Sequence, residues 1–123
     1  MKYEKMFTPI KIGTMELKNR LVVAPMAMDF CDADRTLNEE YAAYVSSRAR
    51  GGFSMIITEG SIVDTIGYAL ERMAGICDDR FIPGFKRVAD AAHEYGAKLI
   101  VQIHHAGAQA PSFWNDGAQP VPS

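Results

Sequence analysis

The chain has 123 residues, of which 48% are hydrophobic and 23% charged, and it carries a net charge of −2. That balance is ordinary for a globular domain and argues against a nucleic-acid partner, and no basic run suggests a membrane surface. No apolar stretch approaches the roughly 20 residues of a membrane span.

The N-terminus, Met1 to Met6, has no long apolar run behind it and does not read as a signal peptide. Cys31 and Cys77 lie far apart and outside any C-x-x-C pair, so free thiols in a cytoplasmic protein are expected.

Residues 7–12 and 15–18 alternate around Gly13 and Thr14, the pattern of a small hairpin. Asn19 and Arg20 form a polar break. Residues 21–24 read as a short buried strand that Pro25 stops, because proline cannot donate to a sheet ladder. Residues 25–36 form a loop. Thr36 and Glu39 then match a capping box, with Thr36 as cap. Leu37, Tyr41, Tyr44, Val45 and Arg48 share one helical stripe, and Gly51-Gly52 ends the helix. Residues 53–58 are a second buried strand, followed by Glu59 and Gly60.

A long connection covers residues 60–79. Pro83 suits a first helical turn, and Phe81, Phe85, Val88, Ala92 and Tyr95 repeat at helical spacing up to Gly96. Residues 98–101 read as a third buried strand. It runs on into Gln102, His104 and His105 before Gly107 breaks it, and residues 106–123 read as loop.

The order is hairpin, then β, α, β, α, β, which implies a parallel sheet. Helix-to-strand joins are short, at Gly51-Gly52 and Gly96-Ala97. Strand-to-helix joins are long. Long loops confined to the carboxyl ends of the strands are how a TIM barrel, the α/β (β/α)8 fold, builds its active site. A doubly wound sheet is the alternative, weakened by the absence of a G-x-G-x-x-G turn after any strand. A (β/α)8 barrel takes about 250 residues. Residues 1–123 are therefore expected to be the N-terminal part of one, with an open strand edge.

Gln102 stands out because a primary amide inside an apolar strand needs partners. For His104 and His105 a strand running out to the surface is the simpler account. A metal-dependent barrel hydrolase would use His104, His105, Glu59 and Asp29 as ligands. Adjacent histidines on a strand point to opposite faces, which counts against that set.

Three segments fall at strand carboxyl ends: residues 24–27 (APMA), 58–60 (TEG) and 102–105 (QIHH). Together with the opening FTPI, the strand KNRLVVAPM, the helix end SRARGG, the helix start GF and the strand VQIHHAG, all in order, the chain resembles the Old Yellow Enzyme family. The branch is similar to the NADH:flavin oxidoreductases and 2,4-dienoyl-CoA reductases. The resemblance implies one FMN-binding TIM-barrel domain, with residues 1–123 as its N-terminal portion. It implies hydride transfer from NADH or NADPH through FMN to an activated alkene, an enone, enoate or dienoyl thioester. It places Ala24, Pro25, Met26, Ala27, Gly60 and Gln102 against FMN. Pro25 and Met26 would lie along the ring and Ala27 at its carbonyl/N5 edge, where many relatives carry Thr or Cys. Gly60 would admit a close backbone, and Gln102 would meet the pyrimidine edge.

Two departures bear on substrate. Asp29 stands where relatives have an aromatic residue or His, and His105-Ala-Gly-Ala108 lacks the usual Arg. The proton donor, substrate anchors and phosphate-binding residues are expected on later strands. In the dienoyl-CoA reductase type, further domains would carry an iron–sulfur cluster and FAD. A small-molecule substrate is implied, with no nucleic acid or membrane partner, and a homo-oligomer is compatible. A non-catalytic folding or assembly unit is the third reading.

Overall fold

The computed structural model describes residues 3–122. β1 (Ile10–Ile12) and β2 (Met15–Leu17) form the antiparallel hairpin, with Ile10 opposite Leu17. Gly13 turns it at a φ of +57°, a left-handed conformation that glycine adopts without steric cost. The hairpin is tied to the amino ends of the strands beyond it. The Lys18 ammonium donates to the Tyr95 carbonyl at 2.6 Å and the Asn19 amide to the Gly52 carbonyl at 2.8 Å.

β3 (Val22–Val23), β4 (Met55–Ile62) and β5 (Lys98–His104) form a parallel sheet in that spatial order. α1 (Glu39–Arg50) connects β3 to β4, and α2 (Ile82–His93) connects β4 to β5. Both helices pack against the same sheet face. Tyr41, Val45 and Ala49 of α1 and Val88 and Ala92 of α2 share one core with Val23 and Ile56. A doubly wound sheet would place helices on both faces. Sequential parallel strands with helices on one side are the winding of a (β/α)8 barrel, here its first portion. Gly84 lets the helices close: a Cβ there would stand 2.8 Å from the Leu37 carbonyl oxygen.

Three expectations are corrected. The cap of α1 is Asn38, not Thr36: the Asn38 side-chain oxygen Oδ1 accepts from Tyr41 N–H at 3.0 Å, and the side-chain NH2 donates to the Phe30 carbonyl at 2.8 Å. Thr36 lies in the turn before it, where its N–H donates to Asp34. Asn38 wins because the same side chain also secures the preceding loop. Second, β4 runs to Ile62, past the expected end at Thr58, so the long connection begins at Val63. Third, β5 is not buried. Lys98, Gln102, Ile103 and His104 are exposed, Ile103 by 71%. β5 is the edge strand of the sheet, with neither strand nor helix on its far side among the described residues.

Candidate functional site

The site begins with an irregularity in the sheet. Ile57 pairs with Ile100, yet Gly60 pairs with Gln102, so Thr58 and Glu59 together oppose Val101. This is a β-bulge, a device that re-aims side chains and is common beside functional sites. Its loose backbone groups are satisfied. The Thr58 hydroxyl accepts from Gln102 N–H at 3.2 Å and donates to the Glu59 carbonyl at 2.9 Å. Glu59 N–H donates to the Tyr41 hydroxyl of α1 at 2.9 Å.

The bulge turns the Glu59 side chain into the loop after β3, where it is 1% exposed. Four donors converge on it. Met28 N–H and Asp29 N–H reach Oε2 at 2.8 and 3.4 Å. The Cys31 thiol and Ala74 N–H reach Oε1 at 3.4 and 3.3 Å. A buried carboxylate is tolerated only when its lone pairs are filled in this way. Burial, reinforced by the Glu59 charge, pushes the Cys31 thiol far up, so it is no nucleophile. Burial also pushes the Tyr41 phenol up.

Above the strand ends, the connection after β4 folds back. Ile62 bridges Gly75, and Ile62 N–H donates to the Ala74 carbonyl at 2.7 Å. Ile62, Tyr68 and Met73 form a second apolar cluster, covered by Trp114. Tyr68 and Asn115 exchange bonds: Tyr68 N–H donates to the Asn115 carbonyl oxygen at 2.9 Å, and the Asn115 amide donates to the Tyr68 carbonyl at 2.9 Å. The Arg35 guanidinium lies 3.5 Å from the centre of the Tyr68 ring and donates to the Trp114 carbonyl. Burial raises the Tyr68 phenol, partly offset by Arg35.

Beneath this layer lies a cavity of about 250 Å³, lined by Pro25, Met26, Ala27, Gly60, Gln102 and His104. Ala69, Leu70 and Met73 complete its wall. Five of the six sequence-predicted positions thus surround one space. Ala24 does not line it. Gly60 is explained at first by protein alone, since a Cβ there would meet His104 Cβ at 2.9 Å. Gln102 is exposed at the cavity and needs no protein partner, contrary to the reading of a buried amide. A larger apolar recess of about 450 Å³ lies on the helix side, between α2 and the outer face of β5.

The metal-ligand set does not assemble. Glu59 is taken up by its four donors, Asp29 accepts from Arg72 N–H at 2.6 Å, and His105 Nδ1 accepts from Gly107 N–H at 2.9 Å. Among the described residues no group of three or more His, Cys, Asp or Glu converges. No helix is long and apolar enough to cross a membrane, also among the described residues. Of the lining residues Ala69, Leu70, Met73 and His104, only His104 is singled out by sequence, within the strand-end segment 102–105. The first three lie in a connection with no periodicity, although the run Met73-Ala74-Gly75 is the kind of small-residue stretch that marks close packing.

A family model described as the NADH:flavin oxidoreductase / NADH oxidase family matches residues 5–121. An NADH oxidase of Thermoanaerobacter brockii is 37% identical over 120 residues, which are 97% of this chain and 18% of that protein. An NADPH dehydrogenase of Bacillus subtilis is 39% identical over 107 residues, 86% of this chain and 32% of that one. Among solved structures, a 2-naphthoyl-CoA reductase in complex with 2-naphthoyl-CoA superposes with a TM-score of 0.88 at 31% identity, covering 93% of this chain and 17% of its own. An old yellow enzyme homologue from Zymomonas mobilis gives 0.87 at 28%, covering 94% and 32%. The chain therefore spans between about a sixth and a third of the length of these relatives.

Proposed function

The chain belongs to the NADH:flavin oxidoreductase / NADH oxidase family, and on that premise we propose that its cavity at the strand ends receives the ring of FMN in an NAD(P)H-dependent, ene-reductase-type oxidoreductase. One observation carries the reading. A single cavity is bounded by the backbone turn at Pro25 to Ala27, by Gly60 and by the Gln102 amide, with Met26, Leu70 and Met73 as apolar wall. A flat heteroaromatic ring with one polar edge matches that lining. Residues 1–123 would form part of a single FMN-binding barrel domain.

The chemistry FMN supplies when bound is hydride transfer from NADH or NADPH to the β-carbon of an activated alkene. The residues of this chain bind and orient. Met26 and Met73 offer polarisable apolar contact to a ring face. Gln102 presents a donor and an acceptor together, the complement of a pyrimidine edge. Ala27 offers only its backbone, so no side-chain hydrogen bond tunes the ring there. The named substrate of the 2-naphthoyl-CoA reductase supports an unsaturated or aromatic acyl thioester within the substrate class. Relatives of which the chain spans 17% and 18% have room for further domains, where an iron–sulfur cluster and FAD would sit.

Titration of FMN by fluorescence, with the full-length protein and its Gln102→Leu variant, tests the assignment. The variant should bind about tenfold more weakly, since a lost hydrogen-bonding pair costs about 1–2 kcal/mol, while its melting temperature stays the same because the side chain is exposed. Equal affinities remove Gln102 from the site. A wild-type protein that takes up no flavin removes the whole reading.

A further inference from the structure

The cavity has two walls that come from different parts of the chain, and one side chain holds both. Met26 and Ala27 form one wall, and Met73 lies in the other. Glu59 Oε2 receives Met28 N–H, the amide next along from Ala27. Glu59 Oε1 receives Ala74 N–H, the amide next along from Met73. Between them the Cys31 thiol fills the remaining lone pair of Oε1. The donor chain Asp29, which also bonds to Oε2, takes a left-handed φ of +55° and accepts from Arg72 N–H, closing a ring of contacts between the two walls.

The carboxylate is aimed there by the bulge, not by a regular strand. Without the extra residue at Thr58 and Glu59, the side chain at 59 would follow strict alternation. Tyr41 locks the bulge by accepting Glu59 N–H. No lysine, arginine or histidine reaches the carboxylate among the described residues; all four of its contacts are backbone amides and a thiol. It is thus a carboxylate held only by neutral donors, one residue along from Gly60 and bonded one residue along from Ala27 and Met73 of the cavity lining.

We infer that Glu59 is a positioning residue that sets the spacing of the two cavity walls and leaves a carboxylate with no cationic partner beside the bound ring. The inference rests on the FMN reading for its second half only; the wall spacing stands without it. A negative charge close to a ring that accepts electrons opposes reduction, so Glu59 holds the reduction potential down.

The test uses the flavin-loaded protein and the same protein free of flavin. Glu59→Gln keeps the size of the side chain but replaces one acceptor oxygen with an NH2 group, so one wall is released. In the flavin-free protein, hydrogen exchange should speed up at the amides of one wall, Met28 and Asp29 or Ala74, and not in α1 or α2. In the flavin-loaded protein, FMN should bind about tenfold more weakly and its midpoint potential should rise. If Glu59→Gln does not fold, Cys31→Ala serves instead. It keeps the carboxylate and its three backbone donors but removes one source of compensation, so the potential should fall. Unchanged exchange at both walls in Glu59→Gln, or an unchanged potential in either variant when it binds FMN, overturns the inference. Altered exchange with no flavin binding even in wild type overturns the FMN reading and leaves the wall-spacing role in place.

Discussion

Glu59 and Gln102 stand at neighbouring strand ends, and the sheet treats them in opposite ways. Glu59 is 1% exposed and filled by four donors. Gln102 is exposed, and among the described residues its side-chain amide has no hydrogen-bond partner. The first lies on β4, which is flanked by strands on both sides and backed by α1. The second lies on β5, with no strand on its far side among the described residues. A polar residue on the supported strand is part of the scaffold. A polar residue on the edge strand keeps its hydrogen-bonding capacity for something outside the chain. Residue type alone does not separate the two roles; position in the sheet does.

Substitutions at four positions test that division. The largest effect is expected for Val45→Asp, at a fully buried position facing the shared helix core. An unpaired charge there should cost about 4 kcal/mol or more, and a chemical melt should show loss of cooperative folding. Gly60→Ala should come next. Its new Cβ would press on His104 Cβ at 2.9 Å, near the backbone, where little can yield. Overpacking of this kind costs about 1–3 kcal/mol, read as a lower denaturation midpoint at unchanged slope. Ile103→Asp repeats the hydrophobic-to-acid change on the open strand. At 71% exposure it should alter stability by less than about 0.5 kcal/mol. Light scattering should also show less self-association than wild type, because a charge on an edge strand blocks pairing with another chain. A large destabilisation would mean β5 is less open than its exposure indicates. The smallest effect on stability belongs to Ala27→Thr and Ala27→Cys, at an exposed position on the cavity. They should leave the melt unchanged yet shift the flavin potential in spectroelectrochemistry, since a new hydrogen bond to the ring changes its electronics.

Much of this architecture was legible because it rests on local rules. The Gly13 turn, the stripe through Val88 and Ala92 and the stop at Pro25 each follow from the stereochemistry of a few residues. The positions around the cavity were legible through the family resemblance, with Gln102 alone picked out by its residue type at a strand end. What escaped depends on distant partners. Thr36 and Asn38 are both competent caps, and the choice turns on the Phe30 carbonyl eight residues back. The bulge at Thr58 and Glu59 follows no periodicity; it exists because the Tyr41 hydroxyl and the Thr58 hydroxyl satisfy the backbone it frees. The open edge at β5 followed from length, but the half-burial of Leu99, Ile100 and Val101 did not, because such a run looks the same in a central strand as at an edge.

Arg35 is where three separated segments meet: its guanidinium covers Tyr68 and donates to the Trp114 carbonyl, and its own carbonyl receives Gly75 N–H at 3.1 Å. Its link to Trp114 spans 79 positions of chain. Loop closure on that scale is entropically slow and brings no reward until the strands beneath are in place. The layer over the cavity should therefore be the last part of these residues to form in folding. By the same ordering it should be the first to open afterwards, with β4 and the two helices still intact beneath it.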